Sequence, residues 1–403
     1  MRTTDFLVIG GGVIGVSIAR ELKRRFHDSS VTVLEKEDTS VRHASGRNSG
    51  VLHAGFYYTP DSLKAQLTKT GNALLTQYCE SKHLPIHRCG KLVVAKDRQD
   101  HASMDVLLAR GRANDIVLED ITEQQAKEIE PRVKTCERAL FSPTTSTVDP
   151  IKVLQSIVVD AQGEGVAIHY LTRYEKKNGK EIQTSAGAYE AGYIVNAAGL
   201  YADVIAREFG FSDRYRILPF KGLYLYSDEP VGSFRTNIYP VPDLNNPFLG
   251  VHVTVNVEGY AKIGPTAIPA FWREQYQGVE NLNVGELIDL LRRQTGLLLS
   301  SNFDFSRLAF QELRKYSRSH LIRLASTLAQ NIVVEDYTRW GRPGIRAQLI
   351  DVKQGKLEMD FVIEGDRESM HVLNAVSPGF TCAMPFSSYV CEEITQALSS
   401  PKH

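Results

Sequence analysis

The sequence predicts a mixed fold: an α/β domain with a parallel sheet, interleaved with an α+β domain built on an antiparallel sheet. The first observation is a pair of short apolar strands, residues 6–9 and 31–34, joined by a glycine-rich turn and an apolar helical pattern over 13–22. Strands that are apolar on both faces are typical of a parallel sheet covered by helices. The second observation is that residues 216–270 contain short strands interrupted by Pro and Gly. This spacing is typical of antiparallel sheets.

The two patterns alternate along the chain, so both predicted domains are discontinuous. A length of 403 residues allows two or three hydrophobic cores. We assign residues 1–85, 142–215 and 336–403 to the parallel-sheet domain, and residues 86–141 and 216–335 to the antiparallel-sheet domain.

Charge and cysteine content exclude several classes of function. Lys plus Arg and Asp plus Glu each number 47, so no overall positive charge favours nucleic acid as a partner. The five cysteines are an odd number without a C-x-x-C pair, which argues against a disulfide framework or a zinc site. No group of His, Cys and carboxylate residues has metal-ligand spacing, so we predict no catalytic metal.

The chain has no segment that predicts export or membrane insertion. The first strand begins at Phe6, which leaves no room for a leader, and no apolar run reaches the length of a membrane span. We therefore expect a cytoplasmic protein, with peripheral attachment to a membrane surface as the alternative.

The turn after the first strand predicts a dinucleotide site. Gly10, Gly12 and Gly15 form G-x-G-x-x-G between a strand and a helix. Glycine is needed there for the tight turn, for close approach of the backbone to pyrophosphate, and for packing of helix on strand. Glu35 follows the second strand at the spacing expected for a carboxylate that binds ribose hydroxyls, and it disfavours a 2′-phosphate and hence NADP.

The pattern itself does not decide between FAD and NAD as the dinucleotide. The chain has no second such motif, so the electron donor is expected to be a small organic molecule.

Nine blocks of sequence resemble the D-amino-acid-oxidase-like superfamily of flavoproteins, and within it the L-2-hydroxyglutarate dehydrogenases and oxidases. They are residues 43–58, 60–65, 148–150, 195–203, 239–242, 247–254, 264–267, 344–348 and 374–381. The glycine turn and the blocks around 196–199 and 374–381 are shared by the superfamily, whereas 48–58 and 247–254 resemble the narrower group. The chain departs from the group at residues 220–224, where Lys221 and Leu223 stand in place of Arg and Glu.

The resemblance implies a Rossmann-like FAD-binding domain and a set of cofactor contacts. Small and hydroxylated residues allow a loop to approach a flat ring and supply hydrogen-bond donors. The expected FAD-binding residues are Gly10, Gly12, Gly15, Glu35, Ser45, Gly46, Asn48, Ser49, Ala198, Gly199, Gly344, Pro378, Gly379, Phe380 and Thr381.

Oxidation of a 2-hydroxy acid requires a base for the hydroxyl proton and cations for the carboxylate. His53 is the candidate base, because an imidazole titrates near neutral pH, and Arg346 is the candidate clamp, because guanidinium binds carboxylate in a fork. The expected substrate-binding residues are Tyr57, Lys221, Tyr239 and His252.

The expected reaction is oxidation of a small 2-hydroxy acid, L-2-hydroxyglutarate above all, to the 2-oxo acid. One alternative retains the fold but takes an amine or amino acid as donor, as in glycine and sarcosine oxidases. A second alternative is a flavin-binding electron carrier that docks on a partner or a membrane. Oxygen, a quinone and an electron-transfer protein are all candidates for the electron acceptor.

Overall fold

The computed structural model describes residues 1–244, 248–300 and 312–399. Pro247, in one of the resembling blocks, lies outside the described residues. The chain forms two compact units, and four chain crossings connect them. Unit 1 contains residues 1–48, 150–219 and 346–403, and unit 2 contains residues 49–149 and 220–345.

Among the described residues, strands outnumber helices, and most of the strands are short. The strands are β1 (Arg2–Ile9), β2 (Val31–Leu34), β3 (Val51–Leu52), β4 (Ile86–His87), β5 (Lys91–Val94), β6 (Glu119–Thr122), β7 (Arg138–Ser142), β8 (Ser146–Val148), β9 (Ala167–His169), β10 (Tyr174–Asn178), β11 (Glu181–Thr184), β12 (Gly187–Asn196), β13 (Tyr215–Gly222), β14 (Leu225–Tyr226), β15 (Asn237–Pro240), β16 (His252–Val255), β17 (Ala261–Gly264), β18 (Ile268–Pro269), β19 (Arg339–Trp340), β20 (Gly344–Asp351), β21 (Lys356–Leu357), β22 (Val362–Gly365) and β23 (Ser369–Asn374). The helices are α1 (Val13–Arg25), α2 (Leu63–Ser81), α3 (Asp100–Ala113), α4 (Glu123–Ile129), α5 (Pro150–Gly163), α6 (Ala202–Glu208), α7 (Val284–Ser300), α8 (Arg318–Ala325) and α9 (Ala383–Ser399).

Unit 1 is organised around a parallel sheet. Strands β12, β1, β2 and β9 lie side by side and run parallel. On its other side, β12 pairs with β11 in antiparallel fashion along its first half and with β23 in parallel along its second half. Helix α1 packs against α5 and α9. The four residues of β2 are all buried, as expected for a parallel strand covered on both faces. The predicted parallel α/β sheet is confirmed.

Unit 2 is organised around an eight-stranded sheet in the order β19-β14-β17-β16-β15-β5-β7-β6. Neighbouring strands are antiparallel except β5 and β15, which run parallel. A smaller sheet pairs β8 with β3 and β4. The predicted antiparallel sheet is therefore also confirmed, with one parallel pair inside it.

The two faces of the large sheet differ in chemistry. Leu92, Ile238 and Val253 lie in register on β5, β15 and β16 and belong to one hydrophobic core. Because side chains alternate across a strand, their neighbours Lys91, Tyr239 and His252 point to the opposite face. We call this opposite surface the polar face of the sheet.

The boundaries of the units differ from the predicted domain boundaries. Residues 216–219 are predicted with the antiparallel-sheet domain but belong to unit 1, and residues 336–345 are predicted with the parallel-sheet domain but belong to unit 2. Residues 49–85 and 142–149 are also predicted with the parallel-sheet domain but belong to unit 2. The physical reason is strand pairing: Val51 and Leu52 pair with Thr147 and Ser146, which holds both segments in the small sheet. A local pattern does not reveal this pairing, because its partners are almost one hundred residues apart.

In the part of the chain that the structure describes, no helix is both long enough and apolar enough to cross a membrane.

The turn between β1 and α1 generates the first prediction, a Gly15→Ala variant. A methyl group at Gly15 would overlap the carbonyl oxygen of Gly10, so the helix must move away from the strand. We expect the variant to bind FAD at least tenfold more weakly, or to be purified without it; the flavin absorbance per protein measures this. The matched control is Gly163→Ala, because a methyl group there meets no atom within 4 Å. Equal flavin content in wild type and Gly15→Ala would contradict the prediction.

Candidate functional site

The glycine turn of unit 1 lies at the carboxyl ends of the parallel strands. The Gly10 amide donates to the Leu34 carbonyl at 2.8 Å, and its φ of +109° is one that side chains disfavour. The Ala197 amide, just beyond β12, donates to the Ile9 carbonyl at 2.9 Å. Helix α1 begins directly after Gly12. The amides at its start therefore lie at the strand ends, where a helix N-terminus favours phosphate.

Glu35 holds the turn in place from the end of β2. One carboxylate oxygen accepts from the Gly11 amide at 2.8 Å, and the other accepts from the Glu37 amide at 2.9 Å. Burial raises the pKa of Glu35 despite these hydrogen bonds. Each carboxylate oxygen has two lone pairs, so these contacts leave acceptor capacity for a ribose hydroxyl. The structure thus adds a second role for Glu35, that of fixing the glycine turn.

Ser45 and Asn48 belong to a short segment that contacts the turn. The Ser45 hydroxyl accepts from the Val13 amide at 2.9 Å, at the first turn of α1. A single 3-10 turn, Ala44–Gly46, contains both Ser45 and Gly46 and lies against α5. The Asn48 amide donates to the Ser45 carbonyl at 2.8 Å. These contacts bring the first part of the 43–58 block to the dinucleotide-binding turn.

Ala198 and Gly199 follow β12 in a turn that Asn196 organises. The Asn196 side chain is buried, donates to the Ala202 carbonyl at 2.8 Å and accepts from the Ala198 amide at 3.2 Å. Its amide nitrogen also lies 3.1 Å from Nδ1 of His371 on β23. Burial lowers the pKa of His371 to about 4, so this ring is neutral and can accept the hydrogen bond.

Pro378, Gly379, Phe380 and Thr381 form the turn before α9. The Cys382 amide donates to the Pro378 carbonyl at 3.0 Å, and the Ala383 amide donates to the Phe380 carbonyl at 3.3 Å. The turn belongs to unit 1, as do the glycine turn and the Ala198 turn. Their roles toward FAD remain predictions.

In unit 2, the segment that contains His53 is fixed by side chains that bind its backbone. Asn72 of α2 donates to the carbonyls of Leu52 and His53 at 3.1 and 3.2 Å. Arg110 donates to the Tyr57 carbonyl at 2.6 Å, and Asn114 donates to the Tyr58 carbonyl at 3.1 Å. The segment therefore has a defined path although it has little regular structure of its own.

His53 is buried, with 8% of its surface exposed, and it is neutral at physiological pH. Burial lowers its pKa to about 3, and the charge of Lys91 acts in the same direction. A neutral imidazole has one nitrogen that can accept a proton. This protonation state is the one that a base requires.

The Lys91 ammonium is buried on the polar face, inside three aromatic rings that we call the aromatic box. Its Nζ lies 4.7, 4.6 and 4.9 Å from the ring centres of Phe56, Tyr57 and Tyr239. Neither Nζ nor the Tyr57 hydroxyl has a hydrogen-bond partner among the described residues. Burial lowers the pKa of Lys91 to about 7 and raises that of Tyr57 well above its usual value.

Tyr239 and His252 lie next to each other on this face. Their rings are stacked at 3.7 Å with an angle of 16° between the planes. Nδ1 of His252 lies 3.0 Å from the Gly250 carbonyl, which requires the proton on Nδ1. The structure therefore brings Tyr57, Tyr239 and His252, three of the predicted site residues, together around Lys91. The charge of Lys91 acts on the fourth, His53.

The remaining predicted site residues lie on β13, on β20 and shortly before β3. Lys221 is buried on β13, where burial lowers its pKa, and it pairs in register with Ile268. Ser49 begins the unit, and its carbonyl accepts from the Lys262 ammonium at 2.9 Å. Gly344 begins β20. Arg346, two residues further along β20, is partly buried and belongs to unit 1.

Sequence reasoning missed Lys91 and Lys262, which are among the buried lysines of unit 2. Lys91 and Lys262 are 0% and 5% exposed, and burial lowers the pKa of Lys262 to about 8. A signal for Lys91 was present, since a charged residue opens a strand that is otherwise apolar. Its environment could not be read from that signal, because the three rings around it come from two other segments.

The parallel sheet with its glycine turn, and the second unit with its buried polar face, define a two-unit oxidoreductase that binds a dinucleotide. The model of the family "FAD dependent oxidoreductase" matches residues 5–393. The chain belongs to this family and is an FAD-dependent enzyme.

Named relatives match over almost the whole chain. The L-2-hydroxyglutarate dehydrogenase of Escherichia coli strain K12 is 33% identical over 98% of this chain and 94% of its own length. The mitochondrial L-2-hydroxyglutarate dehydrogenase of Homo sapiens is 34% identical over 97% of this chain and 89% of its own length.

Solved structures share the fold at low identity. L-α-glycerophosphate oxidase from Mycoplasma pneumoniae, with FAD bound, has a TM-score of 0.78 and 22% identity over 98% of this chain and 95% of its own. Glycine oxidase from Geobacillus kaustophilus has a TM-score of 0.73 and 18% identity, covering 100% and 97% of the two chains.

The buried ammonium generates a prediction about stability. Because the pKa of Lys91 falls from its usual 10.5 to about 7 on folding, the unfolded chain binds this proton more tightly. The cost of keeping Lys91 charged is complete below pH 7 and disappears as the pH rises to about 10.5. We expect Lys91→Met to raise the Tm by several degrees at pH 6, and the gain to shrink toward pH 10, as measured by calorimetry.

Lys262→Met is the matched comparison for this measurement. It removes another buried ammonium, but it also removes the hydrogen bond to the Ser49 carbonyl. We therefore expect a smaller gain in Tm, or a loss. A Lys91→Met protein that unfolds at a lower temperature than wild type at pH 6 would show that the aromatic box outweighs the cost of burial.

Proposed function

We propose that the chain oxidises L-2-hydroxyglutarate, or a close 2-hydroxy diacid, to the corresponding 2-oxo acid. The observation that carries the proposal is the neutral, buried His53 on a segment whose Phe56 and Tyr57 pack around Lys91 in unit 2. It is supported by relatives at 33% and 34% identity that are named L-2-hydroxyglutarate dehydrogenases.

The residues of unit 1 fit an FAD molecule. The close approach of Gly10, Gly15 and Ala197 leaves no space for side chains in the turn, and the amides at the start of α1 suit a pyrophosphate. We propose that this turn, Glu35, Ser45, the Ala198 turn and the turn before α9 hold the cofactor. When bound, FAD supplies the two-electron oxidant.

His53 is proposed as the base that takes the hydroxyl proton while C2 is oxidised and its C–O bond becomes a carbonyl. A base with a pKa of about 3 is weak in the substrate-free protein. A diacid brings two negative charges, and a nearby negative charge raises the pKa of an imidazole. Substrate binding therefore strengthens the base at the moment when it is needed.

The carboxylates of the substrate require cations and hydrogen-bond donors. We propose that Arg346 binds a carboxylate through its guanidinium fork. Lys221, Tyr239 and His252 are proposed to bind the other carboxylate, with Tyr57 as a neutral donor, since burial keeps its hydroxyl protonated. Lysine at position 221 is compatible with this role, because an ammonium binds a carboxylate as a point charge.

The substrate assignment predicts which compounds reduce the flavin. Under anaerobic conditions, L-2-hydroxyglutarate should bleach the flavin absorbance of the holoenzyme, and 2-oxoglutarate should form in equal amount. The D enantiomer, glycine and sarcosine serve as controls and should leave the flavin oxidised. Reduction by glycine or sarcosine without reduction by L-2-hydroxyglutarate would instead support an amine or amino-acid oxidase.

The role of the base predicts a specific loss in a His53→Gln variant. We expect kcat to fall about 10²–10⁴-fold with little change in flavin content, because glutamine retains hydrogen-bonding groups but cannot take a proton. The control is His27→Gln, whose ring is 82% exposed and which we expect to match wild type. Stopped-flow flavin reduction measures the effect. A fall in kcat of less than threefold would contradict the assignment of His53 as the base.

A further inference from the structure

Asn196 and His371 lie side by side on two parallel strands of unit 1. Asn196 is the last residue of β12, and it pairs in register with His371 of β23. Both residues are completely buried, with 0% of their surface exposed. Their polar side chains therefore need hydrogen-bond partners inside the protein, because an unpaired polar group in the interior is unfavourable.

The backbone contacts of Asn196 fix the direction of its amide group. The amide nitrogen donates to the Ala202 carbonyl at 2.8 Å, and the amide oxygen accepts from the Ala198 amide at 3.2 Å. Turning the group over would bring two donors together at Ala198 and two acceptors together at Ala202. The nitrogen is therefore the atom that lies 3.1 Å from Nδ1 of His371, and its second N–H donates to that ring.

This contact determines where the His371 ring carries its proton. Nδ1 must present a lone pair to Asn196, so the proton of the neutral ring lies on Nε2. Nε2 lies 3.0 Å from the Ser369 hydroxyl and donates to it. Phe209 and Phe211 pack against the ring, with centres 5.0 and 4.9 Å away. The Nδ1 lone pair thus has a fixed direction and anchors the Asn196 amide to β23.

The turn that Asn196 holds lies against the glycine turn. The Ala197 amide donates to the Ile9 carbonyl at 2.9 Å. A methyl group at Gly10 would lie 2.5 Å from the Ala197 carbonyl oxygen and 3.0 Å from the Cα atom of Ala198, so the two turns are in direct contact. A movement of the Ala198 turn would therefore change the surface that is proposed to bind FAD.

We propose that His371 is a positioning residue for the cofactor: by anchoring the Asn196 amide to β23, it holds the Ala198–Gly199 turn in the conformation that binds FAD. The inference rests on the proposed role of this turn in holding FAD. Without an acceptor at Nδ1, the second N–H of Asn196 is buried and unpaired. The amide then rotates toward another acceptor, and the Ala198 amide loses its partner.

A matched pair of variants tests the role of the Nδ1 acceptor. His371→Asn and His371→Gln both remove the ring from its contacts with Phe209 and Phe211. The asparagine oxygen lies as many bonds from the backbone as Nδ1, so it can accept from Asn196. The glutamine amide lies as many bonds away as Nε2, so it reaches toward Ser369 instead.

The measured quantity is the Kd of FAD, obtained from flavin fluorescence in a dilution series of each holoenzyme. We expect His371→Gln to bind FAD about three- to tenfold more weakly than wild type, the effect of losing one neutral hydrogen bond. His371→Asn should stay within about twofold of wild type, because the acceptor is restored. Thermal unfolding of both variants at saturating FAD serves as the control, and we expect equal losses of Tm, since both lose the ring.

The tautomer of His371 supplies a spectroscopic readout in the wild-type holoenzyme. Ring ¹⁵N signals of labelled histidine should show the proton of His371 on Nε2, with the signals assigned by their loss in the variants. A proton on Nδ1 would overturn the inference, because that nitrogen could not accept from Asn196. If neither His371 variant folds, His371 is identified by elimination, from single substitutions of the other histidines, and the readout still decides.

An Asn196→Ala variant separates the inference from the proposed role of the turn. Unchanged FAD binding in Asn196→Ala would show that the turn does not hold FAD, and both would fail. Weaker binding in Asn196→Ala with unchanged binding in His371→Gln would overturn the role of His371 alone. Equal weakening in His371→Asn and His371→Gln would also overturn it, since the ring would then act by packing. None of these measurements requires turnover, so they are independent of the proposed substrate.

Discussion

The burial of the Lys91 ammonium among Phe56, Tyr57 and Tyr239 is the interaction that sets the character of the polar face of unit 2. It packs the irregular segment that contains Phe56 and Tyr57 against the eight-stranded sheet, whose other face is apolar. Burying an ammonium without an acceptor is unfavourable, and three rings offset only part of that cost. Burial lowers the pKa of His53, and the charge of Lys91 acts in the same direction, so a feature that weakens the fold also favours the neutral form of the proposed base.

Unit 1 depends on a different constraint, which is the absence of side chains where three backbones meet. Gly10 and Gly15 bring α1 against β1, and the Ala197 amide closes the turn from β12. Glu35 and Ser45 then fix the amides of Gly11 and Val13. Backbone groups thus form the proposed cofactor-binding surface, whereas side chains form the proposed reaction surface of unit 2. This division explains why glycine dominates one set of residues and titratable groups the other.

Local sequence patterns predicted much of this structure. They missed the contacts between residues that are far apart in the chain. The β1-α1-β2 unit follows from apolar runs and glycine spacing. The start of α2 is likewise local, since the Ser62 hydroxyl caps it by accepting from the Ala65 amide at 3.1 Å. The placement of 49–85 in unit 2 and the Asn196–His371 contact both join residues far apart in the chain. The sequence pattern indicated only a strand residue at Lys91, because the aromatic box forms only when three segments of the chain pack together.

We propose that the 2-hydroxy acid reacts at the polar face around His53. Hydrogen exchange of the FAD-loaded protein, measured by mass spectrometry with and without saturating 2-oxoglutarate, tests it most directly. We expect slower exchange in peptides that contain residues 51–58 and residues 252–255 when the product is bound. Unchanged exchange in both peptides, under conditions where the flavin spectrum shows that 2-oxoglutarate is bound, would contradict it.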